Sequence, residues 1–131
     1  MITRNDLSQY KYLKIEIENI KNNIHELENL SVGVASYQET RSKSNARGSK
    51  IEDVVIRIQI LREMYYNRLN SFLELKIKIE DEVRKLPIHE RMIITEHYLN
   101  GLTWGDVSDK LFISLSWCYK LHNRALKMLS V

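Results

Sequence analysis

Few side chains in this 131-residue chain could serve as nucleophiles or metal ligands. There is one cysteine, Cys118, and there are four histidines, His25, His89, His97 and His122. The histidines do not share a metal-ligand spacing with Cys118, and Cys118 has no readable His-Asp or His-Asn arrangement that would activate its thiol. We therefore predict no metal site, no cofactor and an inert thiol.

Acid-base and phosphate chemistry lack a recognisable pattern as well. Glu80, Asp81 and Glu82 are consecutive, so on a helix they point in different directions and form a solvated face rather than a catalytic pair. The chain has no glycine-rich phosphate loop. These patterns predict that the protein is not an enzyme and has no catalytic residues.

The net charge of +3 is small, but the basic residues cluster in two places. Residues 31–50 carry Arg41, Lys43, Arg47 and Lys50 against one acid, and after Asp109 all the charged side chains are basic. Such patches are a possible footprint of a polyanion, although an exposed run of charge is usually only solvated. Whether the basic segment at 31–50 contacts DNA stays open at this point.

Apolar residues recur every seven positions in two long segments. One seam runs from Tyr10 to Leu27 and the other from Ile51 to Leu86. This period is typical of helices that pack lengthwise, and the scarcity of glycine and proline also favours an all-α fold. We predict an antiparallel, coiled-coil-like helical hairpin over residues 1–86, with a mobile basic loop at 31–50. Apolar surface left uncovered on the longer helix predicts a homodimer through the hairpin.

Pro87 ends the second seam, and residues 87–131 predict a separate domain. Three short helical patterns follow, over 88–99, 103–111 and 114–129. The Asn100-Gly101 pair predicts the stop of the first, and Thr103 and Ser114 predict the N-caps of the others. The last two helices, joined by a turn of about three residues, predict a helix-turn-helix.

The last helix predicts a surface that binds double-stranded DNA in the major groove. A small core is predicted from the inward residues of this helix, two residues of the preceding helix and one residue of the turn. These are Cys118, Leu121, Ala125 and Leu126, then Val107 and Leu111, and Ile113. The outward residues of the last helix are Leu115, Ser116, Tyr119, Lys120, Asn123, Arg124 and Lys127. Lysine can donate to guanine, serine and asparagine can read base edges, and the last two cations can meet phosphates.

The stretch LPIHERMIITEHYLNGLTWGDVSDKLFISLSWCYKLHNRALKML resembles region 4 of bacterial sigma factors. The similar features are the LP..ER opening, the Y..GLTW..V...L first helix and the S......L..RAL..L recognition helix. With the hairpin before it, the chain resembles the phage-encoded ArpU-like transcriptional regulators. The resemblance implies base contacts by Leu115, Ser116, Tyr119 and Lys120, and backbone contacts by Thr103, Trp104 and Arg124. Tryptophans in so small a unit are more often packed than inserted between bases.

The chain departs from the sigma pattern directly after the cap Ser114, where Leu115, Ser116 and Trp117 replace the usual Arg and Glu. A target other than a standard promoter element is therefore expected, and the resemblance covers region 4 alone. It implies a sequence-specific regulator of phage late genes that acts with host RNA polymerase in the bacterial cytoplasm, with no membrane partner. Two alternatives remain: a small terminase-like packaging subunit, and a protein-binding adaptor or inhibitor on the same fold.

Overall fold

The structure, a computed structural model, describes residues 1–40 and 45–129. Within these residues five helices, α1 to α5, span Arg4–Thr40, Asn45–Val83, Ile88–Ile94, Trp104–Leu111 and Leu115–Leu129, and a π-helical turn, Thr95–Leu99, follows α3. The predicted all-α class is confirmed, with long helices followed by short ones. Among the described residues, no helix combines the length and the apolar character that a membrane crossing requires.

The described chain forms two compact units whose limits differ from the predicted division at residue 86. Residues 15–70 form one of them, the hairpin unit. Residues 1–14 and 71–131 form the other, the terminal unit. The start of α1 and the end of α2 thus belong with the short helices, because their apolar residues are buried in the same core. Whether 1–86 and 87–131 fold independently stays a prediction.

In the hairpin unit, α1 and α2 pack antiparallel. The core consists of Ile20, Ile24, Ile58 and Leu61, all from the two predicted seams. Two ion pairs flank it: the Glu28 Oε1 to Arg62 Nη2 distance and the Glu16 Oε1 to Arg68 Nε distance are both 2.7 Å. Residues early in α1 therefore face residues late in α2, which is the antiparallel order that the sequence predicted.

Residues 31–40 and 45–50 of the loop predicted at 31–50 are helical instead, because α1 continues to Thr40 and α2 begins at Asn45. A missing apolar period shows that a segment has no face to bury, but it does not prevent the backbone from being helical. Arg41 and Lys43 lie outside the described residues. Contact of this basic segment with DNA stays a prediction.

The terminal unit is built on a core that joins both ends of the chain. Ile2, Leu7 and Tyr10 are buried with residues of α2, α3 and α5, and the Tyr10 ring stacks on Phe72 with the centroids 4.8 Å apart. The start of α1 is fixed by a reciprocal cap, in which Asp6 N donates to the hydroxyl of Thr3 and Thr3 N donates to the Asp6 carboxylate. The first helix is therefore part of the scaffold that carries the short helices.

Helix α2 ends at Val83, three residues before the predicted end, and the chain tightens into a turn. The amide of Leu86 donates to the carbonyl of Val83, a bond three residues long instead of four. Pro87 then caps α3 with an extended ψ of 158°. Leu86 is buried as the seam predicted, although it lies in this turn and not in the helix.

The helix predicted at 88–99 is α3 continued by the π-helical turn. Asn100 N donates to Thr95 O, five residues back, and Leu102 N donates to Glu96 O. Gly101 then takes a φ of 73°, which glycine adopts without steric cost, so the chain can reverse toward α4 as the Asn100-Gly101 pair predicted.

Candidate nucleic-acid interface

Helices α4 and α5 form the predicted helix-turn-helix. The Thr103 hydroxyl accepts from Asp106 N at 3.2 Å and the Ser114 hydroxyl accepts from Trp117 N at 3.1 Å, so both predicted N-caps are confirmed. Between them Phe112 takes a left-handed φ of 56°, and the Ser108 hydroxyl donates to Ile113 O across the turn. These bonds fix where α5 begins.

The inward face of α5 is packed as the sequence predicted. Cys118 and Leu121 are buried against Ile93 and Val107, with Leu111 and Ile113 partly buried beside them. Ala125 is buried in the core shared with α1, and Leu126 packs against that core. Because one side of α5 is held by two core clusters, the opposite side is left to solvent.

All seven outward residues of α5 that the sequence predicted are exposed: Leu115, Ser116, Tyr119, Lys120, Asn123, Arg124 and Lys127. They include hydrogen-bonding groups toward the start and middle of the helix and cations toward its end. The structure thus brings the predicted base-contacting and phosphate-contacting residues of α5 onto the exposed side of one helix. Their contacts with DNA stay a prediction.

Two cations near α5 are held in place by neighbours. The Arg124 guanidinium carbon lies 5.2 Å from the centre of the Trp117 ring, a cation-π distance that limits where this side chain can reach. Lys110 Nζ lies 2.8 Å from the Glu96 carboxylate, and this bond lowers the pKa of Glu96. Lys110 is thus paired with an acid, and the lysine and arginine residues of α5 itself are Lys120, Arg124 and Lys127.

Trp104 is packed, as the sequence favoured. Its ring stacks on His97 with centroids 3.8 Å apart and meets His122 and Tyr119 edge-on at 4.8 and 5.4 Å. Thr103, the residue before it, is exposed while its hydroxyl caps α4. The proposed backbone contacts at these two positions therefore differ: Thr103 is open to solvent, while much of the Trp104 ring is used in packing.

Sequence reasoning missed the aromatic cluster that supports this site. His97, Tyr98 and His122 join Trp104 and Tyr119 in a set of ring contacts. His97 Nδ1 donates to Leu102 O at 2.8 Å, and His122 Nε2 lies 2.6 Å from the Tyr98 hydroxyl. The residues come from three different elements, the π-helical turn, α4 and α5, and share no period, so only their types, aromatic and histidine, could have indicated a cluster.

The two histidines of this cluster are held neutral near pH 7. Burial, together with the nearby charges of His97 and Arg4, lowers the pKa of His122 to about 4. Burial also lowers the pKa of His97, and the nearby Lys11 acts in the same direction. An uncharged pair is what the packed rings require, since a proton on either histidine would bury a charge next to cations.

Acid is therefore expected to destabilise the terminal unit before its carboxylates titrate. The unfolded chain binds a proton at residue 122 below about pH 6.5, whereas the folded chain does so only below about 4. The contribution of this residue to stability is thus complete well above pH 6.5 and is lost as the pH drops toward 4, by roughly 3 kcal/mol. Urea unfolding followed by tryptophan fluorescence between pH 7 and 4.5 measures this loss.

His122→Gln should make that pH dependence shallower, leaving the part that His97 contributes, while keeping a hydrogen-bonding group for Tyr98. His89→Gln, at an exposed histidine, should keep the wild-type profile. Hydrogen bonds lower the pKa values of the Asp6 and Glu96 carboxylates. Protonation of these two groups therefore lowers the free energy of unfolding only below about pH 4.5. An unchanged slope in His122→Gln would contradict the assignment.

No protein-family model, no curated protein and no solved structure matches the chain. The resemblance to sigma region 4 therefore depends on the sequence motifs of residues 86–129 alone. Function has to be inferred from the surface of α5 and from the elements that hold that helix in place.

Proposed function

We propose that this protein is a sequence-specific regulator of transcription that binds double-stranded DNA through α5. The observation that carries the proposal is the exposed face of α5, which presents Ser116, Tyr119, Lys120 and Asn123 on a helix whose other face is firmly packed. An α-helix fits the major groove, where such side chains can distinguish base pairs, while cations farther along meet phosphates.

The resemblance to the ArpU-like regulators supports a more specific proposal: control of phage late genes together with bacterial RNA polymerase in the host cytoplasm. The proposed homodimer is supported by the hairpin unit, where Ile56, Ile60 and Met64 form an exposed apolar stripe on α2 at intervals of four residues. A dimer would read two half-sites about one helical turn apart, or a multiple of it.

The test is selection of bound sequences from random duplex DNA at near-physiological salt, coupled to light-scattering mass in the same buffer. We expect one enriched motif, present as a single or paired site, and a mass of one or two chains. The salt should be fixed and stated, because phosphate contacts make affinity strongly salt-dependent.

Either of two results would count against the proposal. A folded sample that enriches no sequence would indicate that the helix-turn-helix serves as a protein-binding adaptor. A ring of many subunits would favour the packaging alternative. Fluorescence of Trp104 and Trp117, which both lie in the terminal unit, establishes that the sample is folded before selection begins.

A further inference from the structure

A groove in the terminal unit lies between the first helix and the start of α4. Its volume is about 420 Å³. Arg4, Ser8 and Lys11 line it from α1, while Thr103 and Trp104 line it from the other side. These last two are the residues for which backbone contacts are implied, so the groove borders the proposed DNA interface.

The positions of the α1 side chains follow from local structure and packing. Arg4 is the first residue of α1, and Ser8 and Lys11 follow four and seven residues later, so all three share one face of the helix. On another face Leu7 and Tyr10 are buried in the terminal core. Packing of the apolar face therefore fixes the direction in which the cationic face points.

The groove carries uncompensated positive charge. Among the residues that the structure describes, no acid forms an ion pair with Arg4 or Lys11, and no carboxylate lines the groove. Asp6, the acid nearest to Arg4 in sequence, is bonded to Thr3 and Lys78. The hydroxyl groups of Ser8 and Thr103 add neutral polar atoms to the lining, so an anion rich in acceptor oxygens suits it.

Trp104 connects the lining of the groove with the exposed side of α5. Trp104 lines the groove and meets the ring of Tyr119, a proposed base-contacting residue, with centroids 5.4 Å apart. A polyanion lying along α5 would therefore extend toward Arg4 and Lys11. A duplex supplies phosphates at regular intervals along such a path, whereas a small anion would have no reason to contact α5.

We infer that Arg4 and Lys11 bind a phosphate of the DNA backbone beside the bases that α5 reads, which makes the first helix part of the DNA interface. This inference rests on the proposed function, since it requires that α5 bind a duplex. It adds a positioning role for α1: phosphate contacts fix the register of a protein on DNA but carry no sequence information themselves.

The test compares R4Q/K11Q with the wild-type protein on the selected duplex and on a random duplex. The affinity of the variant should fall by a similar factor, roughly 10-fold, for both duplexes. The slope of log affinity against log salt should become shallower by about 1 to 2, and the selected motif should stay the same. The matched control is R84Q/K85Q, which removes the same two charge types from exposed positions outside the groove.

A second variant separates charge from folding. R4K/K11R keeps both charges and should retain wild-type affinity, so a loss caused only by disturbed packing of α1 would appear in it as well. Inorganic phosphate at constant ionic strength should compete no better than chloride; selective competition would indicate a free-anion site and overturn the inference.

The two proposals fail in different ways. If the wild-type protein enriches a motif but R4Q/K11Q binds it with unchanged affinity and salt slope, the role of α1 is wrong and the proposed function stands. If the wild-type protein binds no duplex, the proposed function is wrong and the groove inference fails with it.

Discussion

Replacing Ile2 with alanine is expected to lower the free energy of unfolding of the terminal unit by about 2 to 5 kcal/mol, as for other large-to-small core substitutions. Ile2 lies before the first residue of α1, yet its side chain is fully buried in a cluster with Leu7, Ile79 and Ile94. Tryptophan fluorescence during urea unfolding reports on this unit, since Trp104 and Trp117 both lie in it.

Ile77→Ala is the matched control, because Ile77 lies on α2 in the same unit and is 60% exposed. The free energy of unfolding of this variant should stay within about 0.5 kcal/mol of the wild-type value, as for most surface substitutions. If the two variants were equally stable, the first residues would contribute nothing to the core. The start of α1 could then not hold Arg4 and Lys11 at the groove either.

The second large effect is expected for Lys120→Ala combined with Arg124→Ala, which should weaken binding to the selected duplex by about 100-fold, or roughly 2.7 kcal/mol. The two residues are expected to act differently. Loss of Lys120 should relax the sequence preference at one base pair. Loss of Arg124 should weaken binding to all duplexes alike and make the slope of log affinity against log salt shallower by about 1. Titrations of single and double variants at several salt concentrations measure both effects.

Arg84→Ala combined with Lys85→Ala removes the same charges from an exposed turn and should change affinity little. This comparison also tests the adaptor alternative. A protein-binding adaptor would keep its cellular activity when Lys120 and Arg124 are replaced, whereas a DNA-binding regulator would lose it. Retained activity together with retained duplex affinity would remove both residues from the interface.

The parts of the fold that the sequence predicted are those encoded locally. The seven-residue seams predicted the paired long helices because burial requires a continuous apolar stripe. Thr103 and Ser114 predicted helix starts because their hydroxyls satisfy amides within the next turn. The exposed set on α5 followed from the same logic, since Cys118 and Leu121 define its inward face.

The parts that it missed depend on contacts between distant segments. Burial of Ile2 and Leu7 against α3 and α5 has no local signature, so the division at residue 86 did not anticipate the compact units. The same is true of the Glu96 to Lys110 bond and of the aromatic cluster. The groove was missed for this reason as well: Arg4 and Lys11 look like ordinary solvated cations until α1 is placed beside α4.

The π-helical turn at Thr95–Leu99 has a consequence for how the chain can vary in length. A π-helical turn accommodates one residue more than an α-helical turn, and one residue corresponds to about 100° of rotation about a helix axis. Deleting a residue here would restore a regular helix but would turn His97 and Tyr98 out of phase with Ile93 and Ile94 on the preceding turn. Insertions and deletions should therefore be tolerated poorly between Ile88 and Gly101, even though the turn itself touches neither the exposed face of α5 nor the hairpin core.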